Sequence, residues 1–97
     1  MAKEIRWSVR ADKERLAIIA YWANRNKSID YSIKLNKLFI EKIQLLADNN
    51  DLGKKTDHHN IRIKIIRDYF IYYKIFSDHI KILSIWDCRR NPQKFKL

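Results

Sequence analysis

Eight cationic side chains in the second half of the chain are the residues best suited to chemistry. Arg62, Lys64, Arg67 and Lys74 fall on alternating apolar segments, and Arg89, Arg90, Lys94 and Lys96 crowd the last nine residues. Guanidinium forks clamp phosphates and carboxylates, and ammonium groups add point charge, so this set suits a polyanion. Interleaved aromatics, Tyr69, Phe70, Tyr72, Tyr73 and Phe76, raise a stacking platform of the kind used on single-stranded RNA. Alternation sends Tyr69 and Tyr73 to one face and Phe70, Tyr72 and Phe76 to the other. One set must pack beneath whatever covers the sheet. Weighed against a polyanion site is the simpler reading of a solvated polar face beside a basic tail.

Other chemistries find no matching residues. A single glycine excludes a Gly-rich phosphate loop. His58, His59 and His79 have neither HExxH spacing nor a cysteine at zinc-site spacing, so no metal is expected. Nothing in the sequence orients a histidine toward Cys88, which reads as an inert thiol. The carboxylates are scattered, without a pair suited to glycosidase-type acid–base work. No cofactor is called for.

Composition narrows the partner further. The 97 residues hold 21 Lys plus Arg against 11 Asp plus Glu, a formal charge of +10, with a pI near 9.9. The length suits one domain, 1–97, with a basic tail at 87–97. Hydrophobic content of 46% excludes a disordered basic tail as the whole chain, and no apolar run is long enough to span a bilayer. No secretory signal is visible at the start, and a lone cysteine fits a reducing compartment, so a cytoplasmic protein is expected. Residues 1–48 carry 10 basic against 6 acidic side chains, and residues 49–97 carry 11 against 5.

The elements that must position these groups follow from periodicity. Lys3–Val9 alternates charged and apolar residues as a first strand. Ser8 is the expected N-cap of a helix to about Asn26, with Leu16, Ile19, Ala20 and Ala23 as its apolar stripe and Asp12 and Glu14 complementing its dipole. Ser28 or Asp30 then caps a second helix, about Ile29 to Ala47, bearing Tyr31, Leu35, Leu38, Phe39 and Leu46. The short connection makes the pair an antiparallel hairpin. Asp48–Asn60 reads as one exposed loop. Three strands follow, 61–65, 69–76 and 79–86, joined by the turns Arg67-Asp68 and Ser77-Asp78. Arg62 and Lys64 share the face turned away from Ile61, Ile63 and Ile65; if that face is the concave side of a twisted sheet, the strand and the tail would together cradle a phosphate backbone. The order makes an α+β fold: an N-terminal strand, a helical hairpin and a three-stranded antiparallel meander in one small sheet.

That ordered set resembles a known family. The pieces are Trp7-Ser8, Leu16-Ala17-Ile18-Ile19-Ala20-Tyr21-Trp22, Leu52-Gly53, Ile61-Arg62, Asp68-Tyr69-Phe70-Ile71-Tyr72-Tyr73, Ile80 to Ile85, and Asp87-Cys88-Arg89-Arg90-Asn91-Pro92. Together they are similar to the RelE/ParE superfamily of type II toxins. The resemblance implies a cognate acidic antitoxin and one of two targets. RelE-like members cleave mRNA in the ribosomal A site, whereas ParE-like members poison DNA gyrase. For an interferase, the resemblance points to Arg90 as the phosphate-stabilising residue. Yet Phe70 stands where such members carry arginine, and Phe95 lies near their C-terminal tyrosine. The ParE-like target is slightly favoured, with a non-toxic antitoxin-binding partner as a further alternative. Candidate contacts to the target are Arg62, Lys64, Arg67, Arg89, Arg90, Lys94 and Lys96.

Overall fold

The computed structural model describes residues 2–90. Strand β1 (Glu4–Trp7) leads directly into helix α1 (Val9–Asn26). Ser8 caps that helix, its Oγ accepting the Ala11 N–H at 3.0 Å. Lys27, in the left-handed region at φ 51°, ends it. Helix α2 (Asp30–Gln44) runs back beside α1 and tightens into a 3₁₀ turn, Leu45–Ala47. Ser28 supplies the local start signal, its Oγ accepting the Asp30 N–H at 3.2 Å. Strands β2 (Lys54–Lys55), β3 (Ile61–Ile66), β4 (Tyr69–Ile75) and β5 (His79–Asp87) complete the described chain.

The sheet is five-stranded in the order β1-β5-β4-β3-β2. Strands β2 to β5 pair antiparallel as a meander, and β1 joins β5 in parallel, with Ile5 beside Ile80 and Trp7 beside Ile82. The helical hairpin covers one face. Its Leu35, Phe39 and Ile43 bury against Tyr69, Ile71, Tyr73, Ile80, Ile82 and Ile85. The α+β arrangement and every long element stand as the periodicity predicts.

Three local expectations need correction. Asp48–Asn60 is not a single exposed loop: it contains β2 and buries Gly53. A Cβ on Gly53 would lie 2.7 Å from both the Ile63 carbonyl oxygen and the Tyr73 hydroxyl, so the only glycine sits where backbone must touch the core. The α1 stripe holds only in part: Ile19 packs on the core together with Ala11, Ile18 and Trp22, whereas Leu16 and Ala20 face solvent. The helix packs sideways on α2 as well as downward on the sheet, so two half-faces replace one stripe.

The third correction concerns β3. Directly opposed residues of an antiparallel pair share a face. Arg62 opposes Tyr73 and Lys64 opposes Ile71, so both cations lie on the helix side. Ile61, Ile63 and Ile65 oppose Lys74, Tyr72 and Phe70 on the open face instead. Tyr69 and Tyr73 take the interior with Ile71, packed in the core with Phe39 of α2; Phe39 and Tyr69 meet edge to face at 5.5 Å.

Candidate functional site

At the end of the sheet where β5 finishes, a cleft of about 460 Å³ opens between α1 and the β4–β5 ladder. Glu14, Ala17, Ile18 and Tyr21 form its helical wall, on one face of α1 by their spacing of three and four. Ile85 and Tyr69 form the floor, and Asp87, Arg89 and Arg90 the basic rim.

Glu14 and Tyr69 tie the two sides of the cleft to their neighbours. Glu14 Oε1 accepts from Ser84 Oγ at 2.8 Å and from the Ile85 N–H at 3.1 Å, fastening α1 to β5. That contact sits by a slip in the ladder: Tyr72 opposes Ser84 while Tyr73 opposes Ile82, leaving Leu83 unmatched. Tyr69 Oη accepts from Trp22 Nε1 at 2.8 Å. Burial pushes the Tyr69 phenol pKa up, against the lowering effect of that hydrogen bond, so it is a neutral donor at physiological pH.

The two arginines at the rim differ. Arg89 grips Asp87 twice, Nε to Oδ1 at 3.0 Å and Nη2 to Oδ2 at 2.9 Å. This fork holds the Asp87 carboxyl below the usual carboxylate range and keeps Arg89 charged. Its guanidinium also lies 5.9 Å from the Trp22 ring centroid. Arg90 instead lies over the Trp86 ring, 4.8 Å from its centroid, and has no ion pair among the described residues. It is the rim cation available to an incoming anion.

The other expected site residues are dispersed. Arg62 is a structural strut on the far end of β3: Nη1 donates to the Gly53 carbonyl at 2.9 Å and Nη2 faces Asp51 Oδ1 at 3.3 Å. Lys64 lies at the helix-side edge beside Leu38 and Lys42. Arg67 occupies the β3–β4 turn in the left-handed region at φ 55° and is exposed. The Cys88 N–H donates to the Asp68 carbonyl at 2.9 Å, which brings that turn to the Arg89–Arg90 end. Lys94 and Lys96 lie outside the described residues. Arg67, Arg89 and Arg90 are therefore brought to one end, and Arg62 and Lys64 are not. Sequence reasoning missed Glu14, Tyr21 and Asp87; the 14, 17, 18, 21 spacing on α1 was the available signal.

No group of three or more potential metal-ligating side chains occurs among the described residues, and His58 and His59 are exposed on the loop before β3. No described helix is long and apolar enough to cross a membrane.

Residues 5–92 match the family model described as the ParE toxin of the type II toxin-antitoxin system, parDE. The chain belongs to the ParE toxin family. It is thus a type II toxin, and an antitoxin is its partner. Solved structures agree on the fold of this ParE-family toxin. A chain of the chromosomal ParDE system from P. aeruginosa superposes with a TM-score of 0.75 at 16% identity, over 87% of this chain and 94% of that one. The YoeB dimer from Staphylococcus aureus gives 0.57 at 20% identity, over 87% and 94%. The E. coli DinJ-YafQ toxin-antitoxin complex gives 0.53 at 13% identity, over 88% and 91%. No curated protein matches it in sequence.

Proposed function

We propose that this toxin acts in the cytoplasm on DNA gyrase, as a binding-type inhibitor that halts growth until its antitoxin covers it. The observation that carries this reading is the ParE family match across residues 5–92. Arg90, with Arg67 and Arg89 at the same end of the sheet, is the proposed contact to the target, and Lys94 and Lys96 would extend it. Such a role needs charge and shape but no proton transfer.

A second reading, a ribosome-dependent mRNA interferase, draws on the open sheet face. There the half-buried Phe70 and Tyr72 lie among Lys54, Lys74 and Lys81, which suits stacked bases and phosphate. Phe70 counts against it, because it replaces the arginine of interferase-type members. Inducing the chain without antitoxin distinguishes the two. Accumulated gyrase–DNA breaks with a DNA-damage response are expected. Prompt loss of translation with A-site mRNA cuts would instead establish the interferase, and Arg90→Ala should then abolish cleavage. Normal growth with abundant folded protein would sink both.

A further inference from the structure

The cleft beside β5 holds more hydrogen-bonding capacity than the chain itself uses. Tyr69 is only 3% exposed, and its Oη accepts from Trp22 Nε1 at 2.8 Å. Its own O–H has no acceptor among the described residues. A buried hydroxyl ordinarily spends its proton, because an unmade hydrogen bond in the interior is costly. Tyr69 lines the cleft, and the charges of Asp87 and Arg89 both act on its phenol, so the hydroxyl lies near the basic rim. Trp22 fixes it there. That indole is itself held edge to face by Tyr21 at 5.2 Å and by Tyr31 at 5.1 Å. The donor is in place before any ligand arrives.

The charges around it leave one cation open. Glu14 is occupied by Ser84 and the Ile85 N–H, and Arg10 Nε faces its other oxygen at 3.5 Å. Asp87 is held in the Arg89 fork, and Asp68 in the adjoining turn also acts on Arg89. Arg90 remains, exposed and seated on the Trp86 ring. One open guanidinium beside two rim acids is a poor match for a phosphodiester strand, which wants a cation at each phosphate. The walls point the same way, because Ala17, Ile18 and Ile85 present carbon rather than charge. At about 460 Å³ the cleft falls within the roughly 300–1,000 Å³ of sites that enclose a compact group.

We infer that this cleft seats a carboxylate and its neighbouring aliphatic side chain from the surface of the protein target: an Asp or Glu beside Leu, Ile or Val. The carboxylate accepts from the Tyr69 O–H and from the Arg90 guanidinium, and the aliphatic group covers Ala17, Ile18 and Ile85. The inference rests on the gyrase reading and deepens it, since it assigns the grip to the enzyme's protein surface rather than to its DNA. Burial keeps the Tyr69 phenol protonated, so the donor persists at physiological pH. Selectivity follows from the donor count. An Asn or Gln side chain offers one oxygen where two donors converge, and its NH₂ would meet a guanidinium. Ala17 sets the room available, because any larger side chain there would fill the space beside Ile18.

The test uses the full chain and a capped dipeptide probe, N-acetyl-Leu-Asp-amide. In methyl NMR the Ile18 and Ile85 signals should shift at low-millimolar probe, and the Asn counterpart should bind at least about tenfold more weakly. Arg90→Ala should weaken the Asp probe about tenfold and leave the Asn probe unchanged. Ala17→Phe lies at an exposed position, so it should fill the cleft and abolish both sets of shifts with an unchanged melting temperature. In a supercoiling assay with purified gyrase, the same variant should lose at least about tenfold in inhibition. Equal affinity for the Asp and Asn probes, or unmoved methyl signals, overturns the inference. Tighter binding of a short oligothymidylate in the same cleft does so too, since the site would then belong to nucleic acid. Full gyrase inhibition by Ala17→Phe overturns it as well. Wild-type protein that leaves gyrase untouched refutes the target instead, and the dipeptide measurements still decide the cleft.

Discussion

At one end of the sheet Arg62 donates to the Gly53 carbonyl and pairs with Asp51, while at the other Arg90 rests on the Trp86 ring with no carboxylate partner among the described residues. Both are arginines on or beside β-strands, and both looked like phosphate ligands in the linear sequence. Their surroundings separate them. Arg62 faces a loop that folds back over the core, where Tyr73 Oη donates to the Asn50 carbonyl at 2.8 Å and accepts the Gly53 N–H at 2.9 Å. The guanidinium finishes that polar network, so its donors are spent on the chain itself. Arg90 follows Arg89, which has already taken Asp87, so its charge is left for a partner. An arginine becomes a ligand for something else where local carboxylates and carbonyls run out.

Substitutions can break or sharpen this contrast. Gly53→Ala should be the most damaging, because a methyl within 2.7 Å of backbone and of the Tyr73 hydroxyl must displace the loop. A loss of about 3 kcal/mol is expected, seen as a melting temperature lowered by roughly 10–20 °C. Tyr73→Phe leaves the Gly53 N–H buried without its acceptor and should cost about 2 kcal/mol in urea unfolding. Arg62→Ala should cost about 1 kcal/mol, since the Gly53 carbonyl loses its donor but regains water; a larger loss of growth inhibition than of stability would show that Arg62 also meets the target. Arg90→Ala should cost no more than about 0.5 kcal/mol, the worth of an exposed cation–π contact, yet greatly reduce growth inhibition. If it destabilises as much as Arg62→Ala, the contrast fails.

The smallest effect concerns acid. Asp87 has its pKa depressed in the folded state, chiefly by the Arg89 hydrogen bonds. Its contribution is therefore complete above the ordinary aspartate pKa and is lost as pH falls through the lower folded value. Carboxyl-carbon NMR should show Asp87 titrating below exposed aspartates in the same protein, and Arg89→Ala should move it back up. Stability at neutral pH should hardly respond, because Arg89 is exposed and screened.

Much of the fold was legible before any coordinates. The Ser8 cap, the uninterrupted helical spacing to Asn26, the Tyr-rich strand and the Ile80–Trp86 alternation are local signals, and each element formed where they stood. The site was legible only in part. Arg89 and Arg90 are placed together by adjacency in the chain, and Arg67 joins them because the β3–β4 turn lies where β5 finishes and its Asp68 carbonyl accepts from the Cys88 N–H. Glu14 belongs to the cleft only because Ser84 and Ile85 come to it from seventy and seventy-one residues away.

The sequence by itself determined the order of the long elements, the basic character and the family, because these depend on composition, spacing and ordered motifs along the chain. The tertiary structure decided which face of each element was inside. A strand such as Ile61–Ile66 has two faces of similar appeal, one of isoleucines and one with two cations and Ile66. Periodicity cannot rank them. The aromatic partners on β4 and the helix above ranked them, turning Arg62 inward and leaving Ile65 exposed. The same competition left Leu16 of α1 on the surface, because a helix with two neighbours buries the residues that serve both.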